Sequence, residues 1–142
     1  LPQCYVLSGD TPDYEQTPDR RLGAIAESTG VPVEHLAYDA LLGESALLFY
    51  PLYNYVAGDQ SSIHEQLSDP GTLVSLGDGG AHCAFICDAS MPSYLLTHWG
   101  RDRRRGPRFE LPDLIRRLTS QPADLYGLTD RGRVAVDLRA AR

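Results

Sequence analysis

The segment Ala46-Leu47-Leu48-Phe49-Tyr50 constrains this chain more than any other, because five apolar residues in succession offer water no polar face. Such a run suits a strand covered on both sides, as in a parallel sheet. Pro51 ends it by removing a backbone donor. A polar stretch, 54–61, leads to a short helix opened by Ser62, with Glu65 three residues on in the capping-box pattern. The turn Asp69-Pro70-Gly71 then delivers Thr72-Leu73-Val74-Ser75-Leu76 as a second strand. Strand, helix, strand is a right-handed crossover by default, and the fold class read from it is α/β.

Two amphipathic helices precede the first of these strands. Thr17 as N-cap, Pro18 in the first helical position and Asp19 in the first turn open one that runs to Gly30, with Leu22, Ile25, Ala26 and Thr29 at helical spacing. The second runs from Val33 to Leu42, carries Val33, Leu36, Ala37, Ala40 and Leu41 on one face and stops at Gly43. Beyond the second strand, a helix spans 92–101. Another has Pro112 near its start and Leu111, Leu114, Ile115 and Leu118 on one face, and a last helical turn runs from Pro122 to Tyr126 and stops at Gly127. The tail from Arg131 to Val136 reads as a turn and a short strand.

Composition excludes several classes. With 142 residues, 42% of them hydrophobic, the chain can bury one sizeable core. No apolar stretch approaches the roughly 20 residues of a membrane span. Cys4, Cys83 and Cys87 cannot all pair within one chain, so a reducing cytoplasm is the expected setting. The opening Leu1-Pro2-Gln3 has neither an initiator Met nor a leader pattern, which fits a chain that begins within something longer. Net charge is −6, unevenly spread: residues 1–99 hold 2 Arg against 13 acids, and 100–142 hold 11 Arg against 6. All the basic residues are Arg, which is read as compositional bias. Arg101, Arg103, Arg104, Arg105 and Arg108 cluster, yet no aromatic is interleaved and no nucleic-acid motif flanks them, so a solvated helix end is expected and no nucleic-acid partner.

Chemistry concentrates in the loop Gly77-Asp78-Gly79-Gly80-Ala81-His82. In parallel α/β folds functional residues stand at the carboxyl ends of strands, and Asp78 lies two residues beyond Leu76. Gly79 and Gly80 allow a backbone to approach a ligand closely. A carboxylate there can take a proton from water and return it to a leaving nitrogen, with His82 and Asp88 as companions. Asn54, just past the end of the first strand, is a further candidate substrate contact. Asp-Gly-Gly is equally an ordinary turn sequence, so spacing alone leaves turn and active site both open. Cys83 and Cys87 with His82 and Asp88 are all ligand types, but their spacing fits no standard zinc module. His98 and Trp99, beside Leu95 and Leu96, read as packed, and His35 and His64 as surface residues.

The run from Thr72 to Arg139 resembles the last barrel strand and following segments of the amidohydrolase superfamily, in the branch of N-acyl-D-amino-acid deacylases (D-aminoacylases). Leu76 to His82, Ile86 to Ser90, Leu95 to Trp99 and Arg101-Asp102-Arg103 carry the resemblance. Arg117 to Ser120, Pro122-Ala123, Tyr126-Gly127-Leu128 and Asp130-Arg131-Gly132 continue it, with looser agreement at Pro12 to Glu15 and Ala37 to Asp39. The resemblance implies the carboxyl-terminal part of a TIM-type (β/α)8 metal-dependent hydrolase barrel over 1–130, and over 131–142 the start of a return to a small β-domain. It also implies zinc, Asp78 as the catalytic carboxylate and possible metal ligand, and an N-acyl amino acid as substrate bound near Gly79, Gly80, His82, Asn54 and Asp88. Gly77 stands where the family usually has Ser. A whole barrel needs about 250 residues, and the resemblance puts the main metal ligands before Leu1, so the isolated chain is expected to lack activity. The alternative from a different class is a non-catalytic remnant or interaction module.

Overall fold

The structure is a computed structural model and describes residues 1–10, 12–43, 46–51, 58–74, 77 and 88–139. Helices dominate these residues, with one small sheet, a mixed α/β composition. The chain divides into two compact units, Leu1–Glu65 and Gln66–Arg142. None of the described helices is long and apolar enough to cross a membrane.

The first unit is built on β1 (Tyr5–Leu7) and β2 (Leu47–Phe49), paired antiparallel with Val6 opposite Leu48. The apolar run therefore forms a strand as expected, but its partner among the described residues is antiparallel and comes from the amino-terminal end. Neither face is fully covered: Leu47 on one is 65% exposed and Tyr50, at the end of the other, 52%, so apolarity alone misstated its surroundings. Residues 72–74 adopt neither helix nor strand, and Ser75 and Leu76 lie outside the described residues.

Cys4, Leu22 and Ala37 form the core of this unit, with Val6, Val33, Leu36 and Leu48 packed against them. Strand alternation sends Val6 and Leu48 toward helices α1 (Leu22–Thr29) and α2 (Val33–Leu41). On the opposite face Tyr5 and Leu7 are buried, and the ring of Phe49, facing Tyr5 in register, meets Tyr14 edge-on at 5.8 Å.

The signal at Thr17-Pro18-Asp19 opens a 3-10 turn, Pro18–Arg20, and α1 begins only at Leu22. Its first amides are capped by backbone from the amino-terminal end: Leu22 N–H donates to the Cys4 carbonyl and Gly23 N–H to that of Pro2, each at 2.9 Å. A side chain at Gly23 would lie 2.8 Å from the Pro2 oxygen. Gly30 stops α1 in the left-handed conformation, φ 72°, as expected. Helix α2 ends on right-handed Leu42, before Gly43, and Leu41 is exposed, so the buried face is narrower than its spacing suggested. Helix α3 (Ser61–Ser68) starts one residue before Ser62, which therefore sits inside it. The leading amides are taken by Asp59 Oδ1, from Ser61 N–H at 2.9 Å, and by Glu15 Oε1, from Gln60 N–H at 2.8 Å.

The second unit is helical. A 3-10 turn, Asp88–Ser90, runs into α4 (Met91–Tyr94), which continues as a π-helix, Leu95–Asp102, closed by Arg103 N–H on the His98 carbonyl. Helices α5 (Leu111–Leu118) and α6 (Ser120–Leu125) follow. Leu114 is fully buried, and Gly100 approaches it so closely that a Cβ there would sit 2.9 Å from Leu114 Cδ1. Leu111 and Ile115 stay exposed, because the buried face of α5 is centred on Leu114 and Arg117. Gly127, φ 66°, ends α6: its N–H reaches the Asp124 carbonyl and Leu128 N–H that of Ala123, a Schellman closure. The tail forms turns, not the expected strand. Val134 and Val136 alternate as a strand would, but no described segment pairs with them and both are almost wholly exposed.

Candidate functional site

Asp78, Gly79, Gly80, His82 and Asn54 lie outside the described residues, as do Cys83 and Cys87. Asp88 enters only as the first residue of the 3-10 turn that leads into α4. What is described of the loop is its two shoulders. On the incoming side Thr72, Leu73 and Val74 are half-buried, and Gln121 Nε2 donates to the Thr72 carbonyl at 3.2 Å. On the outgoing side, Asp88 to Asp102 forms the helix that carries His98 and Trp99.

Among the described residues no three His, Cys, Asp or Glu side chains gather where they could hold a metal. His98 is buried as packing, stacked on Tyr94 at 4.8 Å and edge-on to Trp99 at 5.1 Å, as its apolar neighbours predicted. Exposed His35 agrees with the sequence reading, and His64 is half-buried.

The arginine cluster divides. Arg101, Arg104 and Arg108 are exposed, the solvated helix end expected of them. Arg101 chelates Asp102 with bonds of 2.6 and 2.9 Å, and this contact above all holds the Asp102 carboxyl below the usual carboxylate range. Arg103 departs from the expectation. It is 3% exposed, its guanidinium lies 4.8 Å from the centre of the Trp99 ring, and Nη1 donates to the Pro107 carbonyl at 2.7 Å. The loop closes over it at Gly106, φ 105°, where a Cβ would stand 2.8 Å from Arg103 Nη2. Arg117 repeats the arrangement over Phe109 at 5.2 Å, with Nε donating to Asp113 Oδ2 at 2.8 Å. That bond is the leading cause of a lowered Asp113 carboxyl. Trp99 and Phe109 are joined through Phe109 N–H on the Trp99 carbonyl, with ring centres 6.1 Å apart. Aromatic faces thus hold two buried cations that the sequence left in solvent or unremarked.

A concavity of about 690 Å³ opens between α5, α6 and the tail. Its walls are mainly apolar, and Arg131, Arg133 and Arg139 stand around it. Arg131 is paired with Asp130 at 2.8 Å and Arg133 with Asp124 at 2.6 Å, and these bonds lead the lowering of both carboxyls. Sequence reading missed this site because it depends on the tail folding back as turns. The adjacent Asp130-Arg131 pair was the only local signal.

No family model, no curated protein and no solved structure matches this chain.

Proposed function

We propose that the chain is the carboxyl-terminal part of a zinc-dependent, TIM-type barrel hydrolase of non-peptide carbon–nitrogen bonds, which deacylates N-acyl-D-amino acids in the cytoplasm. The observation that carries this reading is the ordered run of motifs from Leu76-Gly77-Asp78-Gly79-Gly80-Ala81-His82 to Asp130-Arg131-Gly132. Asp78 is the residue on which the chemistry turns, because a carboxylate can take the proton of the attacking water and return it to the departing nitrogen. Gly79 and Gly80 admit the substrate against the backbone, and His82, Asn54 and Asp88 contact it. Zinc, when bound, supplies charge stabilisation and an activated water. The described residues offer no set that fits the metal, and in this reading its principal ligands precede Leu1.

The test is zinc-dependent release of amine from N-acetyl-D-amino acids by the longest polypeptide its coding sequence supports, beside the 142-residue chain and an Asp78→Ala variant. Turnover by the longer product that falls at least ~100-fold in Asp78→Ala supports the reading, and the short chain alone is expected to be inactive. Turnover unchanged in Asp78→Ala overturns it, and turnover by the short chain alone overturns the expectation that the isolated chain is inactive. A second reading, a non-catalytic interaction module, is favoured by the apolar side chains left in water at Leu42, Leu47, Val134 and Val136. It gains if no upstream ligands and no turnover are found.

A further inference from the structure

We propose that the concavity between α5, α6 and the tail binds a small amphipathic monoanion, a carboxylate carrying an aryl or short acyl body. The proposal shares no residue with the loop of Asp78 and stands apart from the hydrolase reading. A volume of about 690 Å³ lies within the range of small-molecule sites, which combine apolar walls with a few placed polar groups. Ile115, Pro122, Ala123, Tyr126, Leu128 and Val134 supply the walls. Several of them, Val134 and Tyr126 above all, are left facing water, which is costly for apolar surface gathered around a hollow.

The charges around the hollow set the sign and number of the ligand's charge. Arg131 and Arg133 are committed to Asp130 and Asp124. Arg139 is tied to Asp130 by its backbone, N–H to carbonyl at 2.7 Å, while its guanidinium makes no hydrogen bond among the described residues. Among the described residues around the hollow the three guanidinium groups exceed the two carboxylates by one charge, and Arg139, which acts on Asp130 only through space, is the one not hydrogen-bonded to a carboxylate. That surplus matches one carboxylate, whose two oxygens fit the planar fork of an arginine. A phosphate dianion has no apolar body and would leave the walls facing water.

Octanoate and octanamide test this, because they share an apolar body and differ in charge. Octanamide has an amide bond of the class the hydrolase reading would cleave, so its own NMR signals are followed to show that it stays intact through the titration. Titration of the full chain followed by amide and methyl NMR signals is expected to give octanoate a Kd of about 1 mM, from the binding typical per ligand atom. The shifts should centre on Ile115, Leu128 and Val134. Octanamide is expected to bind at least ~10-fold more weakly, the worth of one charged hydrogen bond. Arg139→Gln should bring octanoate down to the level of octanamide. Val134→Asp, at a fully exposed position that the fold does not need, should weaken octanoate by ~10-fold through repulsion and loss of a wall. Equal binding of acid and amide overturns the proposal, as does an unaltered Kd in Arg139→Gln. Silence of these signals up to about 10 mM octanoate, ten times the expected Kd, also overturns it, as does self-association through Val134 that octanoate fails to compete with.

Discussion

Replacing Arg103 tests whether a buried guanidinium holds the second unit together. Its ring contact with Trp99, away from water, is worth about 1–2 kcal/mol. The charged bond to the Pro107 carbonyl adds about 1.5 kcal/mol, the low end for such bonds because Pro107 itself is exposed. Arg103→Ala should therefore cost about 3 kcal/mol, and Arg103→Lys about half of that. Lysine keeps the charge but has neither the plane that lies on the indole nor the fork that reaches past it. The same exchange at Arg104, which is exposed, should cost nothing measurable.

Trp99 is the only tryptophan in the chain and lies 3% exposed beneath Arg103, so its fluorescence reports this site directly. With a urea dependence of about 1 kcal/mol per molar for so small a unit, Arg103→Ala should lower the midpoint by about 3 M, or leave the indole solvated without denaturant. Arg103→Lys should lower it by about 1.5 M on the same scale. A midpoint unchanged in both variants, with Trp99 emission where it began, would refute the reasoning and return Arg103 to the solvated helix end that its neighbours form.

Asp113 predicts an acid limb in the stability of the same unit. Arg117 and Arg116 hold its carboxyl below the ordinary value of 3.8, so the stability it gives is complete above that pH and is lost as pH falls through the lowered value. Because Asp113 is a third exposed, the limb should be shallow. Urea midpoints at pH 5 and pH 3 should differ less in Asp113→Asn than in the parent, and an identical difference would dismiss the pair. In the first unit, Leu22→Ala empties the centre of the Cys4, Leu22 and Ala37 core and should cost about 3 kcal/mol. Amide exchange in α1 and α2 should quicken by about 100-fold if it proceeds through opening of the unit, and a change under tenfold would show that Leu22 is not central.

What the sequence made legible was local. Gly30 and Gly127 end helices because only a short backbone loop must close there, and Pro112 marks the first turn of α5 because an N–H is not needed there and its fixed φ suits the helix. What it hid depended on distant partners. Tyr5-Val6-Leu7 is too short to declare itself, and becomes a strand because Leu47–Phe49 and Leu22 receive it. Val134 and Val136 have the alternation of a strand and no described neighbour to pair with. For the candidate site the sequence remains the whole argument at Asp78, Gly79, Gly80, His82 and Asn54, whereas His98 was legible as packing from Leu95 and Leu96 beside it.

The absence of lysine takes on meaning once the second unit is described. Its buried apolar residues are few among those described: Leu95, Trp99, Leu114 and Ala123. Arg103 and Arg117 are buried with them, each spread on an aromatic face, and each bonded to a carbonyl or carboxylate that offsets part of its desolvation. Compositional bias explains arginine at exposed positions such as Arg104, where either cation would serve. At these two it does not suffice, because an ammonium is a compact, strongly hydrated charge that cannot lie flat against a ring. A core this thin in apolar residues can admit a cation only if that cation also packs, and arginine is the basic residue that does both.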